Sequence, residues 1–467
     1  MRALLINPWI TDFAAYNLWS EPIGLLAIGA YLQGLGWQVS LLDCLDRRHP
    51  DLRGLKIRGD TYGRGHYLKT LIPKPDAVRH VPRRFGRYGL TLDTVWRELA
   101  AMPEPDLILV TSGMTYWYPG VQHAVALARE RFPRAPVILG GVYARLCADH
   151  AREHSDADHV LPGDWTRTLP ALLRDLGLVP ASVPDPTTPP AHALRRNQGF
   201  AAVATSRGCP LNCTYCAARL LYPDGYTARP ADDVVAEIAD CVESLRIADI
   251  AFYDDALLAH SPEHMERILD KLIARGVRCR FHTPNGMHTR GITDTLARKM
   301  KRAGFATIRL SLETVSETTL RATGAKTSAD DFTRAVDCLK RAGFAGADIG
   351  AYVLAGLAGQ MAQEVMNTIA FVHAQGVSAH LSRFAPIPGT VEWERWVNAG
   401  LIARDADPLL HNHILPFPPG APLTEEEYQV AVMMARRGNQ YISHDISEKN
   451  SANADSRFHS SVPLSQS

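Results

Sequence analysis

Ser206-Arg-Gly-Cys-Pro-Leu-Asn-Cys-Thr-Tyr-Cys216 places Cys209, Cys213 and Cys216 in a C-x3-C-x2-C array directly after the apolar run 201–204. Gly208 and Pro210 set the turns of a short loop. Three thiolates on such a loop can hold three irons of a 4Fe-4S cubane and leave the fourth open to an exogenous ligand. An open iron points to a reaction, because electron storage alone would not need one. Two other readings compete. Structural zinc wants four closed ligands, usually from paired C-x2-C units, and no fourth cysteine or metal-spaced histidine follows nearby. The other is a chance spacing of buried cysteines.

Working outward toward the C-terminus, strand patterns at 201–204, 249–253, 278–282, 307–312, 346–354 and 379–384 alternate with helical runs near 232–245, 262–275, 293–303, 329–341 and 363–375. Six such units over 196–390 predict a partial (β/α)6 barrel, whose chemical face is the C-terminal ends of its strands. Those ends carry, in order, Cys209 to Cys216, Asp254-Asp255, His282-Thr-Pro-Asn285, Ser311-Leu-Glu313, Ala355-Gly-Leu-Ala-Gly359 and Pro386-Ile-Pro-Gly-Thr390. A single acid at one strand end would mean little, whereas a full ring of polar ends marks a site. Within it, His282, Asn285 and His288 are candidates for a substrate face, although a satisfied buried histidine describes His282 equally well. Structural salt bridges are the preferred reading of Arg207 and Arg309, ahead of contacts to ligand carboxylates or phosphates.

Before the array, β-type runs at 3–6, 38–43, 107–110 and 137–139 alternate with helical patterns at 22–35, near Trp96, at 121–130 and at 144–150. This alternation predicts an α/β, Rossmann-like, doubly wound parallel sheet over 1–178. Ligands of such sheets sit at the carboxyl ends of the strands. The segments to read are therefore Thr111 to Tyr118, with Ser112 and Thr115, then Gly140-Gly141, and Leu161 to Asp164. A glycine pair after a strand is more often a tight turn than a cofactor cradle. Between Arg47 and Leu90 lies an insertion with twelve Lys or Arg against Asp51, Asp60 and Asp76. Gly, Pro and Tyr interrupt any helix there, so a solvated loop packing its tyrosines on the domain is expected; a lid over cofactor or substrate is the functional alternative.

At 467 residues with 46% hydrophobic and 21% charged residues, the chain is a normal globular sequence of two or three folded units. A net charge of +1 offers no electrostatic case for nucleic acid or membrane. No signal segment or long apolar run is seen, so a soluble cytoplasmic protein is expected. Cys44, Cys147, Cys241, Cys279 and Cys338, scattered through apolar segments, read as small buried hydrophobes. Residues 179–195 read as a Pro-rich linker, 391–442 as a folded segment closing the barrel, with Trp393 and Trp396 as core, and 443–467 as a disordered tail.

The array and its surroundings resemble the radical S-adenosylmethionine (SAM) enzymes, whose signature is C-x3-C-x-aromatic-C, here with Tyr215 as the aromatic residue. More narrowly, Gly140-Gly-Val142 followed by Asp156-Ala-Asp-His-Val-Leu-Pro-Gly-Asp164 is similar to the subgroup with an N-terminal cobalamin-binding domain. The resemblance implies a 4Fe-4S cluster on Cys209, Cys213 and Cys216, SAM, and cobalamin near Ser112, Thr115, Gly140 and Gly141. It also implies that Asp254 and Asp255 neutralise the SAM amino and sulfonium groups, that Glu313 and Ser311 bind ribose hydroxyls, and that Tyr215 stacks near adenine. Two departures stand out. The fifth-strand segment reads Gly356-Leu-Ala-Gly-Gln360 where relatives tend to carry proline before the second glycine. The Asp-x-His-x-x-Gly pattern that supplies a lower axial histidine to cobalt is replaced by Asp43-Cys-Leu-Asp-Arg-Arg-His49. No histidine from such a motif is then expected beneath cobalt, and the loop Thr111 to Tyr118 is the candidate for the lower face.

The activity implied is methylation of an unactivated carbon of a biosynthetic intermediate. The implied partners are a small-molecule or natural-product substrate and a flavodoxin or ferredoxin-type electron donor. Radical rearrangement or cyclisation without methyl donation is the alternative. A methylthiotransferase would need further cluster cysteines in the first domain, and a non-catalytic sensor would not need the ring at the barrel mouth.

Overall fold

In the computed structural model the described residues are 1–59, 61–179, 189–196, 199–259 and 262–458, with side chains described through 443. The alternation before residue 178 folds into five parallel strands, β1 (Arg2–Asn7), β2 (Gln38–Asp43), β3 (Leu107–Val110), β4 (Val137–Leu139) and β5 (His159–Val160), in the order β5-β4-β3-β1-β2. The near-continuous apolar runs have a direct cause. On β1, Leu4 and Ile6 enter one core with Val110 and Leu139, while Ala3 and Leu5 enter a second with Leu107, Leu109 and Ile138. A sheet buried on both faces cannot alternate apolar with polar. The order reverses between β1 and β3, and that switch point opens the ligand crevice at the carboxyl ends.

The second unit has six parallel strands in consecutive order, β6 (Ala201–Val203), β7 (Asp249–Phe252), β8 (Arg280–His282), β9 (Phe305–Glu313), β10 (Ile349–Ala355) and β11 (Ser378–Arg383). This is the expected partial (β/α)6 barrel. Ile308, Leu310 and Leu312 of β9 are fully buried toward the helices, as are Ile250 and Phe252 of β7 and Phe281 of β8. The intervening residues therefore face the barrel lumen. β10 starts later than its apolar run suggests, because Gly346–Asp348 forms a 3-10 turn first.

Three segments differ from their sequence reading or complete it. The basic insertion is no detached loop: Lys69–Leu71 and Gly86–Tyr88 form a three-stranded antiparallel sheet with Ile10–Asp12. Val78, Val81 and Phe85 join the first core, and Tyr67 and Tyr88 are buried. Of the linker, 180–188 lie outside the described residues. Its end is a 3-10 turn at His192–Leu194 with the His192 ring buried. The last helix, Glu425–Phe458, is opened by reciprocal Thr424–Glu427 capping bonds and runs on through positions read as a structureless tail. No Gly or Pro occurs between 443 and 458 to stop it; 459–467 lie outside the described residues. Among the described residues no helix is long and apolar enough to cross a membrane.

The two units are joined by buried charge. Glu21, just before the first helix, accepts the Ala202 amide of β6 and faces His192 Nδ1 at 3.1 Å and Arg195 Nη1 at 3.1 Å. The other ring nitrogen of His192 meets Glu237 Oε1 at 2.9 Å, and Glu237 also pairs with Arg229 at 2.6 Å. Burial alone would raise the Glu21 carboxyl, but Arg195 and His192 hold it down at about 2. Removing one partner of such a pair strands the others, so Glu21→Ala should cost about 3–5 kcal/mol in urea unfolding at neutral pH. A depressed carboxylate contributes stability that is present above its ordinary 4.5 and lost as pH falls toward 2. The wild type should accordingly lose more stability than Glu21→Ala across that acid window.

Candidate active site

The loop after β6 is framed by an antiparallel pair, Ser206–Arg207 with Thr227–Ala228. Gly208 sits at φ 72°, and a Cβ there would lie 2.3 Å from the Gly225 carbonyl, so this turn requires glycine. Cys209 Sγ accepts the Leu211 amide at 3.4 Å and Cys216 Sγ the Ala218 amide at 3.5 Å, which are the amide contacts a cluster-bound thiolate uses. Among the described residues no three metal-ligating side chains converge on a single ion. Burial raises all three thiols, Cys216 to about 11. They need a cationic partner to ionise.

That partner is Lys326, which the sequence reading missed. It is mostly buried, interacts electrostatically with Cys213 and Cys216, and pairs with Glu313 Oε1 at 3.4 Å. Gly324 brings its segment in: at φ 110° its Cβ position is 2.9 Å from the Asn212 carbonyl, and Thr214 donates its amide to the Thr323 carbonyl. Glu313 ends β9 with φ 69° at a register shift between Ser311 and Glu313. A left-handed, bulged glutamate costs of order 1–3 kcal/mol and re-aims the side chain, a cost tolerated where geometry matters. Ser311 lies two residues lower, buried beside Gly286.

The paired aspartates divide. Asp254 is fully buried and its two oxygens take the Thr205 amide and hydroxyl and the Ser206 hydroxyl, clamping the end of β7 to the end of β6. It is a brace for the loop. Asp255 is exposed in the mouth; crowding by protein, with Asp254 adding to it, raises its carboxyl to about 6. Tyr215 packs on Leu354, Leu357, Phe384 and Trp396. Gln360 accepts the Gly356 and Leu357 amides and donates to the Leu354 carbonyl, so the turn that lacks the family proline is held by a side chain instead. His282 is the satisfied buried histidine, bonded to Thr307 and Asp249 and stacked on Trp19.

In the first unit, the Ser112 hydroxyl donates to the Gly140 carbonyl and accepts the Tyr143 amide. Gly141, at φ 92°, would place a Cβ 2.4 Å from the Ser112 carbonyl, so its glycine serves this turn. Gly140 is different: nothing lies within 4 Å of its Cβ position, which leaves open space at the strand end. Thr115 contacts His411, Tyr116 contacts His413, and Asn412 and Trp117 both donate to Asp12. The C-terminal segment thus covers one side of the 111–118 loop. His49 is buried, caps Asp51 and faces Glu98 at 3.3 Å.

The two strand-end faces meet. Arg207 Nη2 pairs with Asp164 Oδ2 at 2.9 Å, Arg145 donates to the Leu220 carbonyl at 2.7 Å, and Arg167 pairs with Asp224 at 3.0 Å. From the other side, Thr214 donates to Glu392 at 2.9 Å and Trp393 and Trp396 are core residues.

Residues 203–372 match the Radical SAM superfamily. The chain is 25% identical over 196 residues to an uncharacterized methyltransferase of Pyrococcus horikoshii, covering 42% of this chain and 41% of that one. It is 23% identical over 283 residues to the threonylcarbamoyladenosine tRNA methylthiotransferase of Thermotoga maritima, covering 58% and 64%. The matched parts span less than two thirds of either relative. The radical SAM methyltransferase TsrM of Kitasatospora setae, solved with cobalamin and a [4Fe-4S] cluster, shares the fold across both units. Its TM-score is 0.62 at 17% identity, over 91% of this chain and 84% of that one.

The division of the aspartates is checkable by urea unfolding. Asp254→Ala leaves the Thr205 amide unpaired and should lose about 1–3 kcal/mol. Asp255→Ala should be at least as stable as the wild type at neutral pH, because the carboxyl raised to about 6 disfavours the folded state once ionised.

Proposed function

We propose that this chain, with its Radical SAM domain over residues 203–372, is a cobalamin-dependent radical SAM enzyme that methylates an unactivated carbon of a small biosynthetic intermediate. The observation that carries this reading is the docking of the cluster loop on the strand ends of the first sheet through Arg207–Asp164 and Arg145–Leu220. It sets the two strand-end faces against each other, as delivery of a group from one cofactor to a radical made at another requires. Cys209, Cys213 and Cys216 would hold the cluster. Lys326 would balance the negative charge of the thiolates and of the SAM carboxylate, Glu313 would take ribose hydroxyls, and Asp255 would face the SAM amino group. The open space at Gly140 suits a bulky corrin. A bound cluster supplies the electron that cleaves SAM to a 5′-deoxyadenosyl radical, and bound cobalamin supplies the methyl group. The protein aligns these groups and keeps water out. A cytoplasmic location and a flavodoxin or ferredoxin-type donor belong to the same reading.

Methylthiotransfer, the chemistry named for the Thermotoga relative, is disfavoured. Cys44 is buried with a carboxylate neighbour and Cys147 stands alone, so among the described residues the first unit offers no second cluster. Anaerobically reconstituted protein with hydroxocobalamin, SAM and a strong reductant should form 5′-deoxyadenosine and retain one cobalamin by its visible spectrum, whereas Cys213→Ala should form none. Deoxyadenosine without retained cobalamin would favour rearrangement or cyclisation, and neither signal would favour a sensor. Because His49 is engaged with Glu98, the electron paramagnetic resonance spectrum of the cob(II)alamin form should lack nitrogen superhyperfine splitting.

A further inference from the structure

Inside the barrel, below the ring of strand ends, lies a cationic group that the site described so far leaves unused. Arg309 is on the lumen face of β9, between the outward-facing Ile308 and Leu310. Among the described residues its side chain forms no ion pair and one hydrogen bond, from Nη1 to the neighbouring Ile308 carbonyl at 3.1 Å; its backbone amide donates to the Thr283 hydroxyl. The salt bridge expected for it from the sequence is absent. Two strands along the same sheet, on β11, His380 Nε2 is buried and has no hydrogen-bond partner among the described residues. The two converge on one point: a Cβ at Gly350 would lie 2.5 Å from His380 Nε2 and 3.1 Å from Arg309 Nη1. Gly350 on β10, paired with Arg309, carries no side chain, and the Arg309 and His380 side chains pack into the space one would fill. Asp249, at the start of β7, is taken by Arg280 at 2.7 Å and His282 at 3.1 Å.

We propose that Arg309 and His380 bind an oxyanion of the substrate, a carboxylate or a phosphate, in the barrel lumen. This rests on the functional reading above. A part-buried guanidinium with no counter-ion gains from a ligand that supplies the missing charge. Burial lowers Arg309 from its usual range and, with Arg309 and Arg64 adding to it, holds His380 near 3, so the imidazole is neutral and can donate from Nε2. The lower end of the lumen is filled. Trp19 stacks on His282 with centroids 4.2 Å apart, and Arg64 covers Trp19 at 4.9 Å. The anion therefore enters from the cluster side. Arg309 stands four residues before Glu313, roughly 13 Å lower along the strand. A substrate held at Arg309 would extend its other end toward Glu313 and the cysteines. The SAM carboxylate is not the ligand meant, because Lys326 serves the cluster end.

The test is thermal unfolding of the ligand-free full chain in acetate, in inorganic phosphate and in chloride at matched ionic strength, for wild type, Arg309→Met and the exposed Arg437→Met. The wild type and Arg437→Met should rise by roughly 2–4 °C in acetate if the site takes carboxylate, or in phosphate if it takes phosphate. Arg309→Met should show no such rise and be at least as stable as the wild type in chloride. An equal rise in Arg309→Met, no rise in the wild type, or loss of stability of Arg309→Met in chloride would each overturn the proposal. Substrate-free deoxyadenosine formation is read in parallel. If it is seen without an anion effect, the lumen site alone fails; if it is missing with the anion effect intact, the enzymatic reading alone fails.

Discussion

A histidine held between two buried glutamates sets the relation of the two units on which everything else depends. Glu21 belongs to the first unit and Glu237 to the barrel, and His192 with its neighbour Arg195 comes from the connector between them. Each charge is expensive to bury alone and tolerable only with the others in place. The network therefore stabilises one docking arrangement far more than any neighbouring one. From that docking follow the contact of Asp164 with Arg207, the stacking of Trp19 under the barrel, and the meeting of the two strand-end faces.

At the barrel mouth the polar groups fall into two kinds. Asp254, Gln360 and Ser112 have their hydrogen bonds filled by backbone and hydroxyl groups and fix the shape of loops. Glu313, Lys326, Asp255 and the thiols retain capacity for a ligand, and Glu313 does so from a backbone conformation that a side-chain-bearing residue rarely adopts. A rigid shell around a reactive set with unfilled charge is what preorganised electrostatic catalysis requires.

Much of this was legible in the sequence. The β/α alternation gave both architectures, because strands buried on two faces must be continuously apolar and few folds accept such runs. The cysteine spacing marked the loop because a chelate is local in sequence. What was not legible depended on tertiary neighbours. Nothing around Lys326 separates it from a surface lysine in a Gly-Ala-Lys-Thr turn. Asp254 and Asp255 are adjacent and chemically identical, and only the hydroxyls of Thr205 and Ser206, almost fifty positions earlier, assign them different work. Arg309 read as a structural ion pair because its lack of a carboxylate partner among the described residues shows only once the barrel is closed. The continuation of the final helix past residue 443 was missed because polar composition resembles a tail, and helix continuation depends on the absence of breakers as much as on apolar periodicity.

The central claim is that the strand ends of the first sheet and the cluster loop are set against each other. The most direct measurement is the magnetic dipolar coupling between the reduced cluster and cob(II)alamin in protein loaded with both. Mutually broadened spectra, relieved when either cofactor is left out, are predicted. Two unperturbed, additive spectra would contradict the account.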